Sequence, residues 1–257
     1  MKSLSAFLCA VSLCATAAIA SGIAEEQVEI EIIKGGYSGE TTTSRYWDCC
    51  KPTCGWSGNT DTKVGPVKSC AKDGATKIDT NTQSGCEGGT AYMCSNQQSV
   101  VINSSLAYGF AAAAFENPPE NMCCTCFLIT FKKGQWGDCS GKQMVVQITN
   151  TGAGSSNTTS NFTNIEIAIP GGGVGYYTTG CSSQWNAPAT GWGDQYGGVA
   201  TEADCNQLPA VLQPGCKFRW EFLNGCSNPP AHFQQVVCPK AIYKLSGCNM
   251  GLKDSEG

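Results

Sequence analysis

Two short segments of this chain concentrate residues that could do chemistry. The first, Arg45-Tyr46-Trp47-Asp48-Cys49-Cys50-Lys51-Pro52-Thr53-Cys54-Gly55-Trp56, sets one carboxylate among three aromatic rings, two cations and three cysteines. The second runs from Asn164 to Gly175 (NIEIAIPGGGVG) and carries Glu166. Its alternation puts Ile165, Ile167 and Ile169 on one face of a strand and Asn164, Glu166 and Ala168 on the other. Hydrolysis of a glycosidic bond needs two such carboxyls, one to protonate the leaving oxygen and one to activate water or attack. Aromatic faces would hold the sugar rings, and cysteines flanking a carboxylate would hold its backbone in one geometry. The same residues admit plainer readings. Asp48 could pair with Arg45 or Lys51 beside a packed tryptophan, and Glu166 could be a solvated strand-face side chain. The triglycine Gly171–Gly173 permits close approach of the backbone to a ligand or to another part of the chain.

These segments need a scaffold, and the surrounding sequence predicts a β-rich one. Short runs rich in β-branched and aromatic residues, bounded by Gly, Pro, Asn and Ser, predict strands over Cys126–Phe131, Met144–Thr149, Ile165–Ile169, Phe218–Leu223 and Phe233–Val237. The Ala-rich run Ser105–Phe115 predicts a helix, and Glu202–Leu212 a weaker one. The sum is a small closed or nearly closed β-barrel with long loops tied down by disulfides. Cysteines recur from Ser44 to Cys248, which bounds one domain, taken as residues 44–257.

Residues 1–20 read as a signal peptide: Lys2, an apolar run, then Ala18-Ile19-Ala20. Residues 21–43 contain no cysteine and read as a leader, a linker or a loosely attached strand. Of the eighteen cysteines, removing Cys9 and Cys14 with the signal leaves sixteen. An even, dense set in a secreted chain predicts about eight disulfides. The spacings lack the paired C-x2-C of zinc ribbons and the chain has one histidine, so no metal or other cofactor is expected. The net charge is −4 with 14% charged residues and no basic stripe. That disfavours nucleic acid and, after signal cleavage, a membrane; a neutral polymer is the better partner. A secreted, extracellular monomer is expected. Sequons stand at Asn103, Asn157 and Asn161.

RYWDCCKPTCGW, the CCTC at Cys123–Cys126, IPGGGVG at Ile169–Gly175 and the Cys205-x10-Cys216 spacing together resemble glycoside hydrolase family 45, over about Ser44 to Cys248. The resemblance implies a six-stranded double-psi β-barrel whose open groove cuts β-1,4-glucan internally with inversion. It implies Asp48 as general base and Glu166 as general acid. Ser44, Tyr46, Trp47, Lys51 and Trp56 would line the groove near the base, with Tyr196 facing the substrate from another loop. Asn164, counted with the substrate-binding set, stands where the family usually has His. Glu166 stands where it usually has Asp, and a loop Asp expected upstream has no clear match in Gly152–Asn161. The substitution opens two alternatives: a preference for a decorated chain such as xyloglucan, or a non-catalytic, expansin-like glucan-binding protein. The resemblance also implies the bridges Cys49–Cys181, Cys50–Cys86, Cys54–Cys123, Cys70–Cys94, Cys124–Cys248, Cys126–Cys238 and Cys205–Cys216. Cys139 and Cys226 are left to form an eighth. His232 is expected to be structural or superficial, Asp194 and Asp204 to be loop or cap residues, and Trp185 and Trp192 either packed or sugar-facing.

Overall fold

The computed structural model describes residues 28–61, 63–114, 122–151 and 164–250. The signal segment, the sequons at Asn157 and Asn161 and the loop Gly152–Asn161 lie outside the described residues. Six strands close into a ring: β1 (Ser38–Tyr46), β5 (Leu106–Ala114), β6 (Cys126–Phe131), β7 (Gln143–Thr151), β8 (Asn164–Ala168) and β9 (Pro230–Val236). Their order is β5-β7-β6-β9-β1-β8, and β8 pairs back onto β5. The pairs β1–β8 and β5–β7 are parallel and the other four antiparallel. The short β4 (Val100–Val101) extends β5 outside the ring, and β2 (Ser69–Cys70) pairs with β3 (Tyr92–Met93) in a separate hairpin-like patch. This is the six-stranded closed barrel that the resemblance implied.

Alternation decides what fills the barrel. Phe127, Ile129 and Phe131 from β6, Met144, Val146 and Ile148 from β7, Ile165 and Ile167 from β8, and Phe233 from β9 form one buried cluster. The opposite faces of the same strands, with Tyr46, Leu128, Val145 and Val236, are covered by loops and helices in a second cluster. Glu166 sits on this outer face, as the alternation of Ile165 and Ile167 requires.

Two local expectations give way to the closure of the ring. The run Ser105–Phe115, expected as a helix, contains β5. Helix propensity is a weak preference, and here β7 and β8 each offer a strand edge whose N–H and C=O groups would otherwise lie unpaired in the interior. Small side chains suit the crowded position: a Cβ on Gly109 would meet Met144 Cε at 2.3 Å. The run Phe218–Leu223, expected as a strand, lies largely in helix α2 (Gln213–Glu221). Its large residues also satisfy an i, i+4 spacing, and Phe218 stacks on Phe222 with centroids 5.1 Å apart. Pro214 sits in the first turn, where its missing N–H costs nothing. Glu202–Leu212 forms two 3₁₀ turns, Glu202–Gln207 and Ala210–Leu212, the first capped by Thr201 and Asp204. β1 begins at Ser38, inside the stretch read as leader or loosely attached strand, because it fills the ring position between β8 and β9.

All sixteen cysteines from Cys49 onward are paired. The seven expected bridges are present, and Cys139–Cys226 is the eighth.

Candidate active site

Asp48 follows the end of β1 by two residues and is 7% exposed. Three constraints hold it. The Trp47 N–H donates to Gly173 O (2.8 Å) and the Ile169 N–H to Tyr46 O (3.0 Å), which laces the segment to the triglycine loop. That contact requires glycine: a Cβ on Gly172 would lie 2.8 Å from Ile169 O and 3.0 Å from Tyr46 N. The triglycine thus approaches another part of the chain, one of the two roles foreseen for it. Cys49, at φ 63°, and Cys50 anchor the far side through Cys181 and Cys86. The Cys50 N–H then donates to Asp48 Oδ1 at 2.9 Å.

Burial pushes the Asp48 carboxyl up to about 6, against the Cys50 N–H, and the charge of Glu166 adds to the rise. The two carboxyls are therefore electrostatic neighbours. The plainer reading of Asp48 as an ion-pair partner fails on geometry. Arg45 donates instead to Ser227 Oγ (3.0 Å), Asn228 Oδ1 (3.0 Å) and Gly197 O (2.7 Å). Lys51 Nζ donates to the carbonyls of Thr80 (2.6 Å) and Thr82 (2.9 Å).

Glu166 lies on β8 opposite Ser44 of β1 and Ala112 of β5. Both neighbours are small, which leaves room for a carboxyl carried on one more methylene than Asp. Desolvation raises its pKa, while hydrogen bonds from Ser44 and Asn164 oppose the rise. Asn164 Nδ2 reaches Glu166 Oε1 and Ser44 Oγ, each at 3.3 Å, and Thr42 Oγ1 donates to Asn164 Oδ1 at 3.2 Å. The Thr42 contact sets the amide so that its N–H groups point at the acid. A half-buried carboxyl in this net is not a freely solvated strand-face group.

The sequence profile described as glycosyl hydrolase family 45 matches residues 38–249. The chain belongs to glycosyl hydrolase family 45. It is 51% identical over 222 residues to an endoglucanase of Phaedon cochleariae, covering 86% of this chain and 88% of that protein. It is 44% identical over 220 residues to an endoglucanase of Cryptopygus antarcticus, covering 85% and 93%. The crystal structure of a cellulase from that Antarctic springtail superposes with a TM-score of 0.75 at 44% identity, covering 83% of this chain and 98% of that one.

Within this family-45 frame the other expected site residues separate into two groups. Ser44 and Asn164 stand beside Glu166, Trp56 is half-buried, and Tyr196 is 78% exposed on the loop after Trp192. Trp47 and Lys51, expected to line a groove, are 2% and 4% exposed. Trp47 is packed in the core. Lys51 Nζ lies 3.3 Å from the centroid of the Trp56 ring and ties it to the Thr80–Thr82 loop. Tyr46 is also buried, and desolvation first, then both carboxylates, push its phenol well above 10. Sequence reasoning missed Thr42 and Asn150. Asn150 Oδ1 accepts the Thr53 N–H at 3.0 Å; its only signal was a polar residue closing an apolar strand. His232 is half-buried on the outer face and contacts Glu40. Trp192 is packed, Trp185 partly so. No His/Cys/Asp/Glu group able to hold a metal occurs among the described residues, and no described helix is long and apolar enough to cross a membrane.

Proposed function

We propose that this protein is a secreted endo-β-1,4-glucanase that cleaves with inversion, Asp48 acting as general base and Glu166 as general acid. The observation that carries the reading is the pair itself: two carboxyls outside the barrel, each raised by burial, with the charge of Glu166 adding to the rise at Asp48, in a family-45 chain. The division of roles follows from their partners. Asp48 accepts a backbone N–H, which favours the ionised form that a base requires. Glu166 has only neutral side-chain donors, so burial dominates and favours the protonated form that an acid requires. The register supports an inverting gap. Glu166 is level with Ser44, and Asp48 comes four residues later, at most ~13 Å further along at ~3.3 Å per residue. A span of that size is compatible with the ~6.5–9.5 Å carboxyl separation of an inverting pair. The water would be deprotonated by Asp48 as Glu166 protonates the departing glucosyl oxygen. The low charge density, without a basic stripe, and the endoglucanase relatives favour a neutral β-1,4-glucan as substrate.

The test is release of reducing ends from carboxymethyl-cellulose and from xyloglucan, with the anomeric form of the new end read by NMR before it equilibrates. The wild type should give α-anomers, and kcat/KM should rise with pH through about 6 as Asp48 ionises. Asp48→Asn and Glu166→Gln should each cost roughly 10²–10⁴ in rate. Glu166→Asp should cost up to about a hundredfold, because Asn164 and Ser44 then no longer meet the carboxyl. Cleavage that survives both Asp48→Asn and Glu166→Gln refutes the pair. Binding without cleavage by the wild type refutes the enzyme reading in favour of a glucan-binding protein.

A further inference from the structure

The sequence carries no basic stripe, yet the fold brings lysines together at a cleft that shares no residue with the site above. Lys63, Pro66, Lys77, Tyr243, Gly247 and Asn249 are among its lining residues. The loop ahead of β2 forms one wall and is pinned to the C-terminal segment. The Asn249 N–H donates to Val64 O (2.6 Å), and the Lys68 N–H to Ser246 O (2.7 Å). Helix α3 (Lys240–Ser246) ends at Gly247, φ 76°, where a Cβ would lie 2.9 Å from Lys68 Cε. Lys68 Nζ caps that helix end by donating to Lys244 O at 2.8 Å. The Cys124–Cys248 bridge fastens the same corner to the segment leading into β6. Lys77 arrives from the opposite side, paired through its backbone with Cys70 at the end of β2. The walls are thus held by backbone bonds and a disulfide before any ligand arrives.

Charge in the cleft is one-sided. Lys63 and Lys77 are exposed, and neither ammonium has an ion-pair partner among the described residues. No carboxylate lines the cleft. Asp61 and Asp79, each two residues from one of these lysines, fold back onto turn N–H groups, those of Lys63 and Asn81. Two like charges at one concave surface repel, and an anion between them relieves the repulsion. The cleft measures about 370 Å³ and opens to solvent, a size within the ~300–1,000 Å³ of ligand sites. We propose that it binds uronate units of an acidic polysaccharide. The sugar carboxylate would take charge-assisted hydrogen bonds from Lys63 and Lys77. Pro66 and Tyr243 give apolar walls to the C–H faces of the pyranose ring. A nucleic acid would ask for a continuous basic track and aromatic faces for successive bases, and two lysines flanked by Asp61 and Asp79 make no such track. The inference is independent of the hydrolase reading, because it uses neither Asp48 nor Glu166, and it adds a second polymer to the β-glucan.

The experiment measures binding of the full chain to polygalacturonate and to its methyl ester, which keeps the rings and loses the carboxylates. Polygalacturonate should bind, the ester should not, and affinity should fall on raising the salt to ~0.3 M. Lys63→Gln/Lys77→Gln should weaken binding roughly three- to thirtyfold, the worth of two exposed ion pairs. Its kcat/KM on a soluble cello-oligosaccharide should stay within about twofold of wild type. Lys34→Gln/Lys133→Gln removes the same charge from exposed lysines outside the cleft and should bind as wild type. An equal loss in that control pair overturns the site, since net charge alone would then account for binding. Ester binding as tight as that of the free acid overturns it too. A single-stranded oligonucleotide that binds more tightly than polygalacturonate, and through Lys63 and Lys77, overturns the uronate in favour of nucleic acid. Should the glutamine pair lose thermal stability, Lys77→Gln alone is read by the same criteria. A wild type that releases reducing ends from glucan but ignores polygalacturonate refutes the cleft and leaves the hydrolase; the reverse result refutes the hydrolase alone.

Discussion

Asp48 shows how a single residue is made useful at a cost to the fold. Its carboxyl is almost wholly removed from water, with backbone N–H groups, chiefly that of Cys50, to compensate the charge. The folded pKa, about 6, lies above the ordinary value of 3.8. A raised value means the protonated form is the one the folded state favours. That contribution is fully present below about pH 4 and is lost as pH rises through about 6. The difference between 3.8 and about 6 corresponds to at most about 3 kcal/mol by pH 8. Asp48→Asn, which keeps the acceptor for the Cys50 N–H but never ionises, should therefore melt higher than wild type at pH 8. A chain of this size gains ~2–4 °C per kcal/mol. The gain should vanish near pH 4. Thermal unfolding of both proteins across that range checks it, and equal melting at pH 8 would show that Asp48 is not desolvated.

At the scale of the element, the site is a meeting of backbones. The end of β1, the triglycine loop and the start of helix α1 (Thr179–Trp185) touch with no side chain between them. Gly180 makes the closest approach: a Cβ there would lie 2.3 Å from Asp48 O and 2.5 Å from Cys86 Sγ. Neither atom is the free end of a flexible side chain, so the segment carrying Asp48 must move. Displacements near 1 Å are enough to cost on the order of a hundredfold in rate. Gly180→Ala should lower kcat on soluble glucan at least tenfold and reduce the melting temperature as well. Gly58→Ala, where a Cβ meets nothing within 4 Å, is the control and should change neither. Normal kcat in Gly180→Ala would mean that the position of Asp48 is not set by α1.

Across the whole molecule, a closed ring removes every barrel edge, and the bridges fasten long loops onto it. Several join residues more than a hundred positions apart. Each such bridge restricts the unfolded chain, and loss of a native one typically costs about 2–5 kcal/mol. Complete reduction should thus lower the melting temperature by more than ~10 °C, with activity lost before the barrel melts because Cys49–Cys181 and Cys50–Cys86 flank Asp48. Calorimetry with and without reductant, with thiols counted, checks this. An unchanged transition after full reduction would assign stability to the apolar core alone.

Much of this could be read along the chain. The alternation around Glu166, strand β6 and the seven bridges implied by family likeness all depend on residues whose neighbours in sequence, or whose motif, carry the information. The pairing of Cys139 with Cys226 followed from the two being left over. Three features did not depend on local sequence. β5 is a strand because β7 and β8 need a partner, whatever the alanines prefer. Phe218 and Phe222 suit either an alternating strand or a helix turn, and the packing of α2 decides between them. Lys51 and Trp47 have the residue types of a substrate groove, yet the fold buries both. A motif therefore singled out Asp48 as the proposed base. Only the closed barrel decided that Glu166 faces Ser44 and Ala112 and adds its charge to the rise at Asp48, because closure lays strands distant in sequence side by side.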